Sequence, residues 1–130
     1  MSDFHSLTPM LLSADLAKTI EFYTGLLDFE LDGSWPQEAP TWIQLRRGDL
    51  RIMFYAKDEK TEGVPGMTGV LYFTIDDVPA LHRRLEGKVQ IQWGPEVYHY
   101  GMLEFAIHDC NGYTLSFGQP SDEAPTCIDD

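Results

Sequence analysis

Basic residues are scarce in this sequence: 9 Lys and Arg stand against 21 Asp and Glu, for a net charge of −12. Such a chain repels phosphate backbones and anionic bilayer surfaces, which argues against nucleic acid and membrane as partners. Cysteine is equally sparse. Cys110 sits in the turn-like Asp109-Cys110-Asn111-Gly112 and Cys127 in an acidic C-terminal stretch, so neither reads as part of a disulfide framework, and a reducing, cytoplasmic location is expected. No apolar run approaches the ~18 residues of a membrane span, and the start lacks the basic stretch and apolar core of a secretory signal. Nucleophile elbow, phosphate loop and dinucleotide fingerprint are all missing, which sets hydrolase, nucleotide and Rossmann chemistry aside.

What the chain does have is acid, aromatic residues and regular punctuation. Its 130 residues are enough for one domain that buries a core without metal or disulfide staples. The acidic balance either draws in cationic small molecules or serves solubility alone.

Laid over itself with an offset of about 62 residues, the sequence repeats its signals. Thr8 to Ser13 alternates and meets the helix-starting Asp15, as Val70 to Ile75 meets Asp77. Leu16, Ile20 and Tyr23 ahead of Gly25, and Val78, Leu81 and Leu85 ahead of Gly87, predict two amphipathic helices. Strands are expected over Phe29 to Leu31, Trp42 to Leu45 and Leu50 to Tyr55, and again over Val89 to Trp93, Glu104 to Ile107 and Tyr113 to Phe117. Arg47-Gly48-Asp49 and Asp109 to Gly112 have the chemistry of tight hairpin turns. Gly33 to Pro40 and Lys57 to Gly69 read as loops, the second connecting the halves, and residues 120–130 read as an acidic tail outside the folded part.

Tandem βαβββ units of this kind, with Ala14-Asp15-Leu16 leading to Ile20-Glu21-Phe22-Tyr23 and a closing Glu104-Phe105 to Asp109 and Gly112-Tyr113, resemble the vicinal oxygen chelate superfamily. That superfamily includes glyoxalases, extradiol dioxygenases, fosfomycin-resistance transferases and bleomycin-resistance proteins. The resemblance spans about residues 7–119 and implies an α+β fold within a single domain over 1–119. Two modules, about 7–56 and 69–119, would form a cup-shaped, mainly antiparallel curved sheet with helices outside.

In metal-dependent members four positions face the cup and hold a divalent ion. By pattern they fall here on Thr8, Met53, Val70 and Ser116. A thioether, an alkyl group and two hydroxyls do not make an ordinary divalent site, so no cofactor and no metal-based catalysis are expected. A non-standard site would have to draw on His5, His99, Glu104 and His108, all weak candidates, and would make the protein a lyase, isomerase or dioxygenase. His82 lies on the second predicted helix, where packing or solvent exposure is the default.

Leu45-Arg46-Arg47-Gly48-Asp49-Leu50-Arg51 and Pro9 most resemble the bleomycin-resistance proteins, which bind a cationic ligand at a dimer interface without chemistry. This implies a metal-independent small-molecule binding protein that sequesters an antibiotic or other toxic compound, cationic and planar, as a homodimer. Pro9 marks either a strand-swapped dimer or an ordinary edge strand. A catalytically silent protein that binds partners through its sheet edges is a third reading.

Counting by period two from the family positions, Arg51, Met53, Tyr55, Val70, Tyr72, Thr74, Thr114 and Ser116 face the cup. Ile52, Phe54, Leu71, Phe73, Leu115 and Phe117 then face the helices. Trp35, Trp93, Tyr98 and Tyr100 are expected in or near loops, as rings that stack on a ligand, with core filling as the alternative for Trp93. Asp32, Glu38 and Glu96 in the same stretches are cleft-mouth charges or solvated surface.

Overall fold

Asp15 and Asp77 each start a helix by accepting a backbone hydrogen bond on the side chain, from Lys18 N at 3.1 Å and from Ala80 N at 3.0 Å. A computed structural model describes residues 3–58 and 63–127 and divides the chain into two units, Met1–Gly66 and Met67–Asp130. The division falls inside the predicted connection, of which residues 59–62 lie outside the described part.

The first unit runs β1 (Met10–Ser13), α1 (Leu16–Leu26), β2 (Glu30–Trp35), β3 (Trp42–Arg47) and β4 (Leu50–Ala56). Its sheet has the order β1-β4-β3-β2, with β1 parallel to β4 and the other pairs antiparallel. Parallel pairing of β1 with β4 is what a helical crossover followed by two antiparallel connections produces. Tyr23 on α1 is fully buried, its ring 5.6 Å from Phe29 and 5.3 Å from Phe54. Ile43, Leu45 and Ile52 complete this core, and Ser13 and Thr19 share a buried hydrogen bond of 2.8 Å.

The second unit runs β5 (Leu71–Thr74), α2 (Val78–Leu85), β6 (Ile91–Tyr98), β7 (Met102–His108) and β8 (Thr114–Pro120), in the order β5-β8-β7-β6. Its core joins Val78 and Leu85 of α2 to Phe105, Ile107, Leu115 and Phe117. Phe73 stacks on Phe117 at 5.3 Å, and His82 meets the Phe105 ring edge-on at 5.3 Å, a packing role. The two βαβββ modules and the α+β class are therefore as the sequence predicts. Among the described residues no helix is long and apolar enough to cross a membrane.

Several boundaries differ from expectation. Thr8 precedes β1, although Pro9 O still accepts from Met53 N at 2.9 Å, and α1 runs past Gly25 to Leu26. The expected loop from Gly33 is strand as far as Trp35, and β6 extends through Tyr98. The stretch after β8 is tied down as well: Thr126 N donates to Val97 O at 2.9 Å and Thr126 Oγ1 accepts from Val97 N at 2.8 Å. Extended strands gain partners along their whole length, a term that local turn propensity does not register.

Candidate functional site

The open face of the second unit's sheet carries one buried carboxylate. Glu104 on β7 is 4% exposed, and both of its oxygens are occupied by aromatic donors. Oε1 accepts from the Tyr72 hydroxyl at 3.0 Å and the Tyr100 hydroxyl at 2.5 Å, while Oε2 accepts from Trp93 Nε1 at 2.9 Å. Tyr98 stacks on Tyr100 with centroids 5.7 Å apart and planes 8° from parallel. The three donor rings remain well exposed at 45% for Tyr72, 37% for Trp93 and 62% for Tyr100, so the carboxylate forms the floor of an aromatic patch open to solvent.

Local backbone geometry makes this convergence possible. Trp93 pairs with Ala106 and Glu96 with Glu104, so three residues of β6 span two of β7. That bulge turns Trp93 to the same face as Glu104. Gly94 within it has φ +74°, and a Cβ there would lie 2.3 Å from Glu104 O. Gly118 of β8, opposite Glu104, leaves room for Tyr72: a Cβ would fall 2.1 Å from the phenol oxygen and 3.1 Å from the Met102 methyl. Both glycines are needed for close approach rather than for turns.

The electrostatics follow from this packing. Loss of solvent, reinforced by the hydrogen bond to Glu104, raises the Tyr72 phenol to about 12 and the Tyr100 phenol further. Both therefore stay protonated donors at neutral pH. Tyr98 is raised too, first by loss of solvent and then by Cys127, Glu104 and Glu96. No Lys, Arg or His side chain among the described residues lies within ion-pair distance of Glu104.

The first unit's open face is different in kind. Asp32 accepts from Gln44 Nε2 at 2.8 Å and Arg46 Nε at 3.4 Å, with Arg51 Nε at 4.0 Å, and Arg46 also reaches Glu30 at 3.1 Å. The Gln44 hydrogen bond, with the charges of Arg46 and Arg51, lowers the Asp32 carboxyl below its ordinary value. Arg51 and Tyr55 are exposed and Met53 half-buried on this unit, while Ile52 and Phe54 are buried, as the alternation predicts.

The twelve expected ligand-facing residues separate accordingly. Tyr72, Trp93 and Tyr100 meet at Glu104, with Tyr98 stacked beside them. Thr74 is exposed and Thr114 half-buried on the same unit, and Val70 lies exposed just before β5. Ser116 is fully buried and donates to Phe105 O at 3.5 Å, so it presents no surface. Trp35 is 67% exposed at the end of β2. Trp35 and Tyr98 are the last residues of β2 and β6, next to loops, Tyr100 sits in the following turn, and Trp93 lies within β6, in the strand expected for it. The sequence marks Tyr72, Trp93 and Tyr100 as ligand-facing rings and Glu104 as a weak metal candidate, but not that the three rings donate to Glu104. The signal that points to it is a pair of glycines, Gly94 and Gly118, inside strand patterns.

For the metal that the fold family implies, the donors do not fit. Thr8 and Met53 in the first unit, and Val70 and Ser116 in the second, supply no imidazole or carboxylate. Among the described residues no group of three or more His, Cys, Asp or Glu side chains could hold an ion. His5 and His99 are exposed and His108 half-buried, each apart from any such group.

The profile of the glyoxalase/bleomycin resistance protein/dioxygenase superfamily matches residues 5–117. The chain belongs to this superfamily. Among solved structures, TnmS3, an antibiotic binding protein from Streptomyces sp. CB03234, has a TM-score of 0.73 at 24% identity, over 93% of this chain and 99% of that one. TioX from Micromonospora sp. ML1 gives 0.73 at 15%, over 90% and 99%. Lactoylglutathione lyase from Agrobacterium tumefaciens gives 0.70 at 17%, over 91% and 95%. No curated protein matches. At these identities the superfamily structures share the fold, and they span both a binding protein and an enzyme.

Proposed function

We propose that this superfamily member is a metal-independent small-molecule binding protein that sequesters a cationic, partly planar compound such as an antibiotic. The observation that carries the reading is Glu104, a buried carboxylate with no cation beside it among the described residues, ringed by three exposed aromatic side chains. Three hydrogen bonds offset the cost of burying this charge, and a cationic ligand adds the counter-charge that the described residues do not supply. A net charge of −12 adds long-range attraction for cations. The antibiotic-binding TnmS3 shows that this fold supports such a role. A cytoplasmic homodimer, strand-swapped near Pro9, belongs to the same reading. The dimer is supported by the apolar side chains exposed ahead of β1, where Phe4 is 101% and Leu7 94% exposed.

Two measurements on the purified chain test the proposal. After incubation with Ni, Zn, Mn or Fe(II) and desalting, metal content should stay at background; stoichiometric metal would overturn metal independence. Titration with cationic, planar compounds such as bleomycin should change tryptophan fluorescence in the native protein and not in Glu104→Gln, and an unchanged response in the variant would remove Glu104 from the site.

A further inference from the structure

The hydrogen bonds around Glu104 restrict which cation this site takes, an inference that rests on the binding role proposed above. A carboxylate offers about four acceptor positions. Three are filled, two on Oε1 by phenols and one on Oε2 by the indole, and the group is 4% exposed. A guanidinium needs two parallel acceptors and does not find them on Glu104. A primary ammonium has three N–H groups and finds one position at most on Glu104, so the carboxylate cannot serve as its principal partner. What the site does present is ring surface on Tyr72, Trp93 and Tyr100, polarised by donation to a carboxylate whose charge has no ion-pair partner among the described residues.

We propose that the cationic group accepted here is a fully alkylated ammonium, read through the Tyr72, Trp93 and Tyr100 rings rather than through a direct ion pair with Glu104. Such a group has no N–H to satisfy, is weakly hydrated, and is attracted by aromatic surfaces. Glu104 acts from beneath the rings, supplying charge without contact.

Calorimetric titration of the full chain with benzyltrimethylammonium, benzylammonium, benzylguanidinium and the neutral isostere neopentylbenzene tests this. The three cations carry equal charge, so the overall acidity of the protein does not rank them. The trimethylammonium compound should bind on the order of tenfold tighter than the other two cations, with the neutral compound weakest. Trp93→Leu should abolish that preference, and Tyr100→Ala, at an exposed turn position, repeats the test should Trp93→Leu fail to fold. Equal or tighter binding of benzylammonium or benzylguanidinium overturns the inference and leaves the binding function standing. Cations that bind no better than neopentylbenzene overturn both.

Discussion

The two modules use one scaffold for opposite ends. Met10 and Trp42 in the first stand where the second has Tyr72 and Glu104, since Met10 and Tyr72 pair with the matching strand positions Met53 and Ser116. Two residues further along those strands, Tyr55 opposite Trp42 corresponds to Gly118 opposite Glu104. Module two thus removes a ring from one strand, receives a phenol from the next into the space, and sets a carboxylate beneath it. Module one keeps its charges at the surface and pairs them with each other. A repeated fold can dedicate one copy to a site because its helix-facing residues, not its open face, sustain the core.

Backbone substitution breaks this comparison most sharply. Gly94→Ala forces a Cβ to 2.3 Å from a carbonyl at φ +74°, and we expect a loss of about 2–4 kcal/mol in urea unfolding. Gly33→Ala, at the bulge of β2, meets Trp42 at an ordinary 3.4 Å and should cost less than about 1 kcal/mol. Equal costs would mean that module two is not under closer packing constraint than module one.

Helix starts, sheet alternation and hairpin turns were all legible in the sequence, because Asp15, Asp77, Gly48 and the Ile52/Phe54 and Leu115/Phe117 pairs act within a few residues of themselves. Glu104 with its rings was not. Tyr72 on β5, Trp93 on β6 and Tyr100 in the β6–β7 turn come together only in the fold, and Trp93 shares the face of Glu104 only because a bulge shifts the register. A period-two count cannot anticipate such a shift, nor a tail whose partner, Val97, lies 29 residues away from Thr126.

Titration separates the modules at opposite ends of the pH scale. The folded Tyr72 phenol ionises near 12 against an ordinary 10.0, so its contribution to stability is complete below the ordinary value and is lost as pH rises from there through about 12. A tyrosinate absorbance titration of the native protein minus Tyr72→Phe should show this late ionisation. A difference step at the ordinary value would remove the phenol from Glu104. Asp32 in module one is shifted the other way, so its contribution is present above the ordinary carboxylate value of 3.8 and lost as pH falls below it.

The smallest expected effect is Arg46→Gln, which removes exposed contacts to Asp32 and Glu30. Its effect on the urea midpoint should be detectable at low ionic strength and vanish in about 1 M salt. A loss that persists in salt would mean that module one's surface network contributes to stability more than its exposure indicates.

The strap formed by Thr126 on Val97 has a consequence for how the protein is handled. β6 is the terminal strand of its sheet, and an uncovered strand edge is a template for pairing with other chains. By occupying both backbone groups of Val97, the Thr126 segment shields that part of the edge from intermolecular pairing. A version trimmed at Pro120 would keep all eight strands, yet would carry a new tendency to aggregate through β6.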